Sequence, residues 1–286
     1  MEFWLVTTDH LSDRIWFRDD EDFKMGMNLV AILVCVLGVD VLAFELMSNH
    51  VHFVLCCSKG LARRFIDAYK KRYSQYLSKK YGTRDFLRKV SVDIRAIDGM
   101  NESLERAIAY VQMNCVAARI CLSPIIYPWG TGSCFFKVTP AKGSRIDTLS
   151  GRSLRRLLHS TETLPPHFLV SEDGYILPEC YVKVQWVESI FRTPLRMDFF
   201  LRNSSKAKLH LDSDDRAPSF KDQLVQAAIP DLCQSLFRKA SMADLDDEQQ
   251  AELIKQLRSR FSANIHQLMR VTGLSYETVA DLLDKL

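Results

Sequence analysis

Alternation between apolar and polar positions divides the first half of the chain into predicted strands and helices. Alternation with a period of two, rich in β-branched and aromatic residues, predicts strands at 3–8, 39–46, 50–57 and 90–95. Helical periodicity predicts helices at about 20–37, 61–81 and 101–118. The resulting order, β-α-β-β-α-β-α, predicts an α+β fold with a ferredoxin-like antiparallel sheet and helices packed on it.

Local signals set the ends of these helices. The acidic residues at 19–22 suit the positive N-terminal end of the first helix, and Gly38 suits its C-terminal cap. Asn101 is the predicted N-cap of the third helix. The apolar positions spaced for a buried face in the first and third helices are Phe23, Met27, Val30, Val34, Leu104, Ile108, Val111 and Cys115. This spacing predicts that both helices pack against a core.

The second half of the chain has a different pattern. After Gly151, short helical patterns are interrupted by prolines, and an acidic connector at 241–247 leads to further helices. We therefore expect a mainly helical C-terminal region after the α+β fold. The predicted units are an α+β domain at 1–140, a mixed or helical extension of unassigned role at 141–240 and a helical module at 241–286.

The last predicted unit contains a segment, 267–280, that resembles a helix-turn-helix. Gly273 suits the turn and Ser275 suits the N-cap of the second helix. Acidic residues at 277, 281 and 284 make that second helix a poor partner for phosphates. Two hypotheses stay open for the module: DNA-site recognition, or packing and oligomerisation.

Composition and charge narrow the class of protein. The 286 residues are 47% hydrophobic and 26% charged, which is typical of a globular chain with more than one domain. The net charge of +3 does not by itself indicate a nucleic-acid partner. The 8 cysteines lack a C-x-x-C pair, which favours a reducing compartment. No secretory signal opens the chain and the apolar run at 25–39 is short for a bilayer, so we expect a cytoplasmic protein without a membrane partner.

Basic charge is concentrated in the second predicted helix. Most charge runs are solvated helix faces, but here bases exceed acids strongly and alternate with tyrosines, which favours a phosphate-contacting surface. The predicted DNA-contacting residues are Arg63, Arg64, Lys70, Lys71, Arg72, Lys79 and Lys80. The tyrosines at 69, 73 and 76 are expected in core packing or base stacking.

Two histidines lie one residue apart in the third predicted strand. Side chains alternate along a strand, so His50 and His52 point to one face while Val51 and Phe53 point to the other. Two imidazoles on one face can hold a metal ion, although an ordinary strand with two polar positions is an equal alternative. Glu45, on the neighbouring predicted strand, is a candidate acceptor that orients one histidine.

The third predicted helix carries Tyr110 and Asn114, which lie one turn apart on one face. A tyrosine on a helix flank is usually a packing residue. A metal ion beside it changes this expectation, because the cation activates a bound phosphate for attack by the phenolic oxygen. Asn114 could complete the metal site through its carbonyl oxygen. Two imidazoles and one amide suit Mg²⁺ or Mn²⁺, so a divalent cation is the expected cofactor.

These two motifs together resemble the single-tyrosine HUH transposases. The stretch Met47-Ser48-Asn49-His50-Val51-His52-Phe53 is followed by Tyr110-Val111-Gln112-Met113-Asn114-Cys115-Val116-Ala117-Ala118-Arg119. The branch that this most resembles is the REP-associated tyrosine transposases, with a pattern near M-P-N-H-V-H and then Y-x-x-x-N-P-V-x-A. The segment 15–23 is also similar to that family, and the resemblance covers roughly residues 3–135.

The resemblance implies a function in cutting and rejoining single-stranded or hairpin DNA. In that family the residues matching His50, His52 and Asn114 bind a divalent cation, and the residue matching Tyr110 attacks the scissile phosphate. The implied product is a 5′-phosphotyrosyl enzyme with a free 3′-OH, and a second 3′-OH reverses the step. The family fold is a ferredoxin-like sheet. Both monomers and dimers occur in the superfamily, so the oligomeric state stays open.

Two positions depart from the family pattern, and other functions stay open. Ser48 and Cys115 stand where the pattern has proline, which changes backbone preference rather than a reacting group. A domesticated, catalytically silent protein that binds DNA hairpins is the main alternative. Relaxases, replication initiators and a zinc hydrolase built on the strand histidines are further alternatives.

Overall fold

A four-stranded antiparallel sheet forms the centre of the protein. The structure is a computed structural model that describes residues 1–8, 15–83, 87, 90–99, 102–204, 220–261, 263 and 265–284. The strands are β1 (Phe3–Thr8), β2 (Asp40–Met47), β3 (His50–Cys56) and β4 (Val92–Ile97). They lie in the order β2-β3-β1-β4, and each neighbouring pair is antiparallel. The predicted mixture of helices with an antiparallel sheet is confirmed.

Helices make up most of the remaining regular structure. In the first half they are α1 (Asp20–Leu37), α2 (Lys59–Tyr81), α3 (Ser103–Gln112) and α4 (Asn114–Ala117). They continue as α5 (Gly151–Leu158), α6 (Val184–Phe191), α7 (Pro194–Arg202), α8 (Asp222–Leu232), α9 (Asp247–Phe261), α10 (Ile265–Thr272) and α11 (Tyr276–Asp284). A short hairpin pairs β5 (Ser144–Arg145) with β6 (Leu169–Val170). Among the described residues, no helix has both the length and the apolarity to cross a membrane.

The predicted limits of α1 are confirmed, because both capping signals operate. The Asp19 side chain accepts a hydrogen bond from the Asp22 amide at 2.9 Å and so caps the first turn. Gly38 adopts a left-handed conformation with φ 64° and ends the helix. Strand β4 begins two residues later than predicted, at Val92. The predicted N-cap of the third helix, Asn101, lies outside the described residues.

The two faces of the sheet are covered by different helices. On one face, Phe53 makes edge-to-face contacts with Phe65 and Tyr69 of α2. Helix α1 packs on α2 and approaches the same face, where a Cβ on Gly26 would lie 3.0 Å from the Leu46 side chain. The opposite face carries His52, whose ring contacts Tyr110 of α3. Helices α1 and α2 and the candidate site therefore lie on opposite faces of the sheet.

The chain from β5 to α7 packs against the same core as the sheet. Asn28 of α1 joins the two parts, since its amide nitrogen donates to the Leu157 carbonyl and its oxygen accepts from the Ile176 amide. Val182 also forms a bridge with Val41 of β2. The hydrophobic core extends from Val6 to Phe200 without a break at residue 140. The domain boundary proposed there stays a prediction.

The last four helices enclose a second hydrophobic cluster, which extends from Phe220 to Leu282 and includes Ile15. Helix α10 is followed by Gly273 with φ 74°, and the Ser275 hydroxyl accepts from the Thr278 amide at 3.1 Å at the start of α11. These are the residues that the sequence assigns to the turn and cap of a helix-turn-helix. Glu277 is exposed on α11.

Ion pairs join this cluster to the N-terminal end of α1. Arg18 pairs with Asp231 of α8 at 2.9 Å, and Arg260 of α9 pairs with Asp20 at 2.5 Å. The Arg260 guanidinium also lies over the Phe23 ring, 5.7 Å from its centroid. The C-terminal helices are therefore anchored on the N-terminal end of α1.

Candidate active site

His50 and His52 lie on one face of β3, as alternation along the strand predicts. Their rings meet edge to face with centroids 4.7 Å apart. His50 is paired with Met47 in the register of the sheet, at the end of β3 beside the turn. His52 lies further along the strand and is 4% exposed, whereas His50 is partly exposed. The pair therefore extends from the partly exposed end of β3 into the buried part of the strand.

Asn49 orients the first of the two histidines. Its Oδ1 lies 2.6 Å from Nδ1 of His50. An amide oxygen only accepts, so the imidazole proton of His50 resides on Nδ1 and the lone pair of the ring resides on Nε2. Histidines that ligate metals are commonly held in this way by an acceptor on the other ring nitrogen. Sequence analysis did not identify Asn49 as a site residue, although it directly precedes His50.

Helix α3 brings Tyr110 against the second histidine. The Tyr110 and His52 rings meet edge to face at 5.9 Å. The helix was predicted to continue to Ala118, and this is wrong, because α3 ends at Gln112 and a separate turn, α4, begins at Asn114. The residue between them, Met113, has φ −87° and ψ 5°. The interruption falls between the two residues that the sequence assigns to the site.

The side chain of Asn114 accounts for much of this interruption. Its Nδ2 donates to the carbonyl of Tyr110 at 3.0 Å and to that of Val111 at 2.9 Å. Side-chain bonds of this kind compete with helical backbone bonds. Both hydrogens of the amide are thereby used on the backbone, which leaves Oδ1 as the atom that can serve as a ligand. Asn114 itself is 3% exposed.

The side chains in this region are of the chemical types that bind divalent cations through mixed nitrogen and oxygen ligands. His50 presents Nε2 as its basic nitrogen, His52 lies beside it, and Asn114 has its oxygen available. Imidazole and amide donors suit Mn²⁺ and are compatible with Mg²⁺. Among the described residues, no group of three or more His, Cys, Asp and Glu side chains is arranged to hold a metal.

Charged residues of β4 extend the site across the sheet, and sequence analysis missed them. In the sheet register Glu45, His52, Thr7 and Asp93 form one row across the four strands. Residues opposed in antiparallel strands share a face, so Asp93 and its neighbour Arg95 lie on the face that bears His52. The Arg95 Nε and an oxygen of Asp93 are 2.5 Å apart. Only the nonlocal pairing of β4 with β1 could have identified them.

The environment of the Tyr110 hydroxyl favours its neutral form. Partial burial raises the pKa of this phenol above its ordinary value, while Arg95 lowers the pKa and Asp93 raises it. A phenol in this setting needs positive charge nearby to act as a nucleophile. Arg95 supplies one such charge from the protein itself.

Glu45 is a buried carboxyl beneath the site. It lies opposite His52 in the sheet and is 2% exposed. Burial raises the pKa of this carboxyl well above its ordinary range. Its Oε1 accepts from the backbone amide of Cys115 at 3.2 Å. Cys115 is one of the positions where the family pattern has proline, and a proline would have no amide hydrogen for this bond.

The basic residues of α2 divide into two groups. Several have partners within the protein: Arg63 with Asp67, Lys70 with the Val90 carbonyl, Arg72 with Glu162, and Lys80 with Asp19 and Asp22. Arg64, Lys71 and Lys79 are exposed. The residues with partners contribute to folding, and the exposed group is the better candidate for contact with phosphates. All of them lie on a helix that covers the face of the sheet opposite His52.

Comparison with known proteins adds no family assignment. No protein-family model matches the chain, and no curated protein and no solved structure matches it. The resemblance to single-tyrosine HUH transposases therefore rests on the sequence motifs alone.

Proposed function

We propose that this protein is a metal-dependent DNA strand transferase that nicks and rejoins single-stranded DNA, with Tyr110 as its nucleophile. The observation that carries the proposal is the contact between the ring of Tyr110 on α3 and the ring of His52 on β3, 5.9 Å apart. Residues 58 positions apart in the sequence, each identified from a different motif, are neighbours in the fold.

The fold gives independent support. The order β2-β3-β1-β4, with α1 and α2 on one face, agrees with the ferredoxin-like arrangement that the family resemblance implies. The helix with the tyrosine packs on the free face of that sheet. Because one fold can serve many functions, the proposal depends on the site rather than on the fold.

In the proposed reaction the phenolic oxygen of Tyr110 attacks a phosphodiester phosphorus. The new bond joins this oxygen to phosphorus, the bond from phosphorus to the 3′ oxygen breaks, and the 3′ oxygen leaves with a proton as a hydroxyl. Rejoining reverses these steps when a 3′-OH attacks the phosphotyrosine. His50, His52 and Asn114 would hold a divalent cation, which when bound polarises the phosphate. Arg95 would stabilise the developing negative charge.

The test is covalent capture of a single strand. The protein is mixed with Mn²⁺ and a labelled oligonucleotide carrying a hairpin from the DNA around its own gene, and SDS-resistant adducts are separated on a gel. We expect an adduct on the 5′-phosphate side with the native protein and none with Tyr110→Phe. Tyr175→Phe, which removes the hydroxyl of a partly buried tyrosine outside the candidate site, serves as the matched control.

Two results would contradict the proposal. An adduct that persists in Tyr110→Phe would exclude this residue as the nucleophile. Salt-dependent binding of the hairpin without an adduct in Mn²⁺, Mg²⁺ or Zn²⁺ would instead support the alternative of a DNA hairpin-binding protein that has lost catalysis.

A further inference from the structure

A cavity of about 940 Å³ lies on the side of the sheet opposite the candidate active site. Its walls come from α1, α2 and the segment 155–162, which belongs to the extension beyond the family resemblance. We call it the basic cavity. Its volume is within the range of about 300–1,000 Å³ that is common for small-molecule sites.

The basic cavity has an apolar floor and an aromatic wall. Met25 and Leu29 of α1 supply the floor, and Tyr76 of α2 meets His159 edge to face with ring centroids 5.8 Å apart. The Tyr76 hydroxyl donates to a buried Asp22 oxygen at 3.0 Å, which holds the ring in place. The fixed Tyr76 ring beside aliphatic side chains forms a surface on which a planar heterocycle can stack.

The basic side chains around the basic cavity differ in whether they form ion pairs. Arg72 is paired with Glu162 at 2.9 Å, and Lys80 is paired with Asp19 and Asp22. The acid on the α1 side, Glu21, is paired with Lys24. Within the described part of the chain, the two other bases, Lys79 and Arg155, have no acidic partner. Both are exposed, so they can meet an anion at the rim.

We propose that the basic cavity binds a nucleotide unit. The base would lie against Tyr76, His159 and the apolar floor, and the phosphate would meet Lys79 and Arg155 at the rim. A nucleotide contacts both parts of the cavity. An inorganic anion would contact only the rim, and an uncharged aromatic molecule would contact only the interior. This site is separate from the proposed strand-transfer chemistry, since the sheet stands between it and Tyr110.

The first experiment is calorimetric titration of the full chain with AMP in the absence of divalent metal. We expect AMP to bind at least about tenfold more tightly than adenosine, ribose 5-phosphate, inorganic phosphate or phosphotyrosine, because only AMP uses both floor and rim. Equal affinity for phosphate and for AMP would show that the cavity binds only the anion, and would overturn the proposal. Tighter binding of phosphotyrosine, or no binding of AMP up to about 10 mM, would also overturn it.

Double variants that reverse two positive charges test where AMP binds. Lys79→Glu with Arg155→Glu should weaken AMP binding by about tenfold or more. Lys239→Glu with Arg258→Glu makes the same change of charge at exposed positions outside the cavity, and should preserve AMP affinity. Equal loss in both double variants would indicate a general charge effect and contradict the assignment. All four positions are exposed, so these variants are expected to fold.

A competition experiment identifies the source of the nucleotide. A short single strand that displaces AMP would support a nucleotide of DNA as the occupant, whereas a strand that does not displace AMP would support a free nucleotide. Both results retain the site. Because the titration uses no metal and no cleavable strand, it can succeed when covalent capture fails, and it can fail when capture succeeds.

Discussion

Asn49 determines which nitrogen of His50 can bind a cation. Its Oδ1 holds the proton of His50 on Nδ1, so the lone pair lies on Nε2. Asn49→Ala removes this acceptor and lets the imidazole change tautomer and rotate. We expect the affinity for Mn²⁺ to fall by about tenfold to hundredfold, measured by calorimetry or by paramagnetic resonance of free Mn²⁺.

Asn49→Asp provides the matched rescue for that experiment. A carboxylate at this position still accepts the Nδ1 hydrogen of His50 and adds negative charge beside the imidazole. Mn²⁺ affinity should therefore stay near the native value or exceed it. If Asn49→Ala left the affinity unchanged, the hydrogen bond would have no part in metal binding.

At the scale of single residues, sequence predicted the face on which a side chain lies better than it predicted the partners of that side chain. Alternation along β3 was enough to place His50 and His52 together, because a strand has a period of two. Sequence provided the number of basic residues on α2, but it did not show which of them form ion pairs. Lys80 pairs with Asp19 and Asp22 through tertiary contact, and sequence spacing does not show such a partner.

At the scale of elements, periodicity located the helices but not their interruptions. Leu104, Ile108 and Cys115 are buried as predicted, since apolar spacing reports the face of a helix. The break at Met113 depends instead on the Asn114 amide, which bonds to the backbone of the preceding turn. Helix propensity describes asparagine as a mildly unfavourable residue, and it carries no information about a hydrogen bond from the side chain to the backbone.

The packing of α1 against α2 and the sheet depends on Gly26. A Cβ added there would lie 2.6 Å from Cε1 of Phe17 and 2.8 Å from the Tyr69 hydroxyl. Gly26→Ala should therefore lower the free energy of unfolding by about 1–3 kcal/mol, even though alanine favours helices. Chemical denaturation followed by circular dichroism measures this loss.

Gly60 of α2 is the control for this substitution. A Cβ at that position would meet no atom within 4 Å, so Gly60→Ala gains helix propensity without a clash. The free energy of unfolding should stay unchanged or rise by up to about 1 kcal/mol. Equal stability of the two variants would show that α1 can shift to accommodate the added methyl group.

At the scale of the whole molecule, stability should depend on pH through Asp22. Burial and the neighbouring Asp19 raise the pKa of this carboxyl above its ordinary 3.8, and Lys80 lowers it. The folded protein therefore holds the Asp22 proton more tightly than the unfolded chain. The resulting contribution to stability is complete below pH 3.8 and is lost as pH rises through the folded pKa.

Comparison with Asp22→Asn isolates this contribution. The free energy of unfolding of the native protein, minus that of the variant, should fall as pH rises from below 3.8 toward neutrality. Lys80→Met removes the charge that opposes the shift, so in that background the fall should extend to higher pH. A difference that grows with pH would contradict the sign of the shift.

The arrangement of the whole chain was the least predictable from sequence. The change in composition near Gly151 predicts a new unit, but residues from β5 to α7 pack in the same hydrophobic core as the sheet. Their contacts, such as the two bonds of Asn28, join positions more than a hundred residues apart. Patterns within short windows cannot report such pairings, because each side of the pair has an ordinary local sequence.

The contact of Tyr110 with His52 occurs within a single polypeptide. One copy of the chain therefore carries both halves of the candidate centre, the cation-binding strand and the nucleophile. Under the proposed reaction, two differently inactivated copies could not restore each other by exchanging helices.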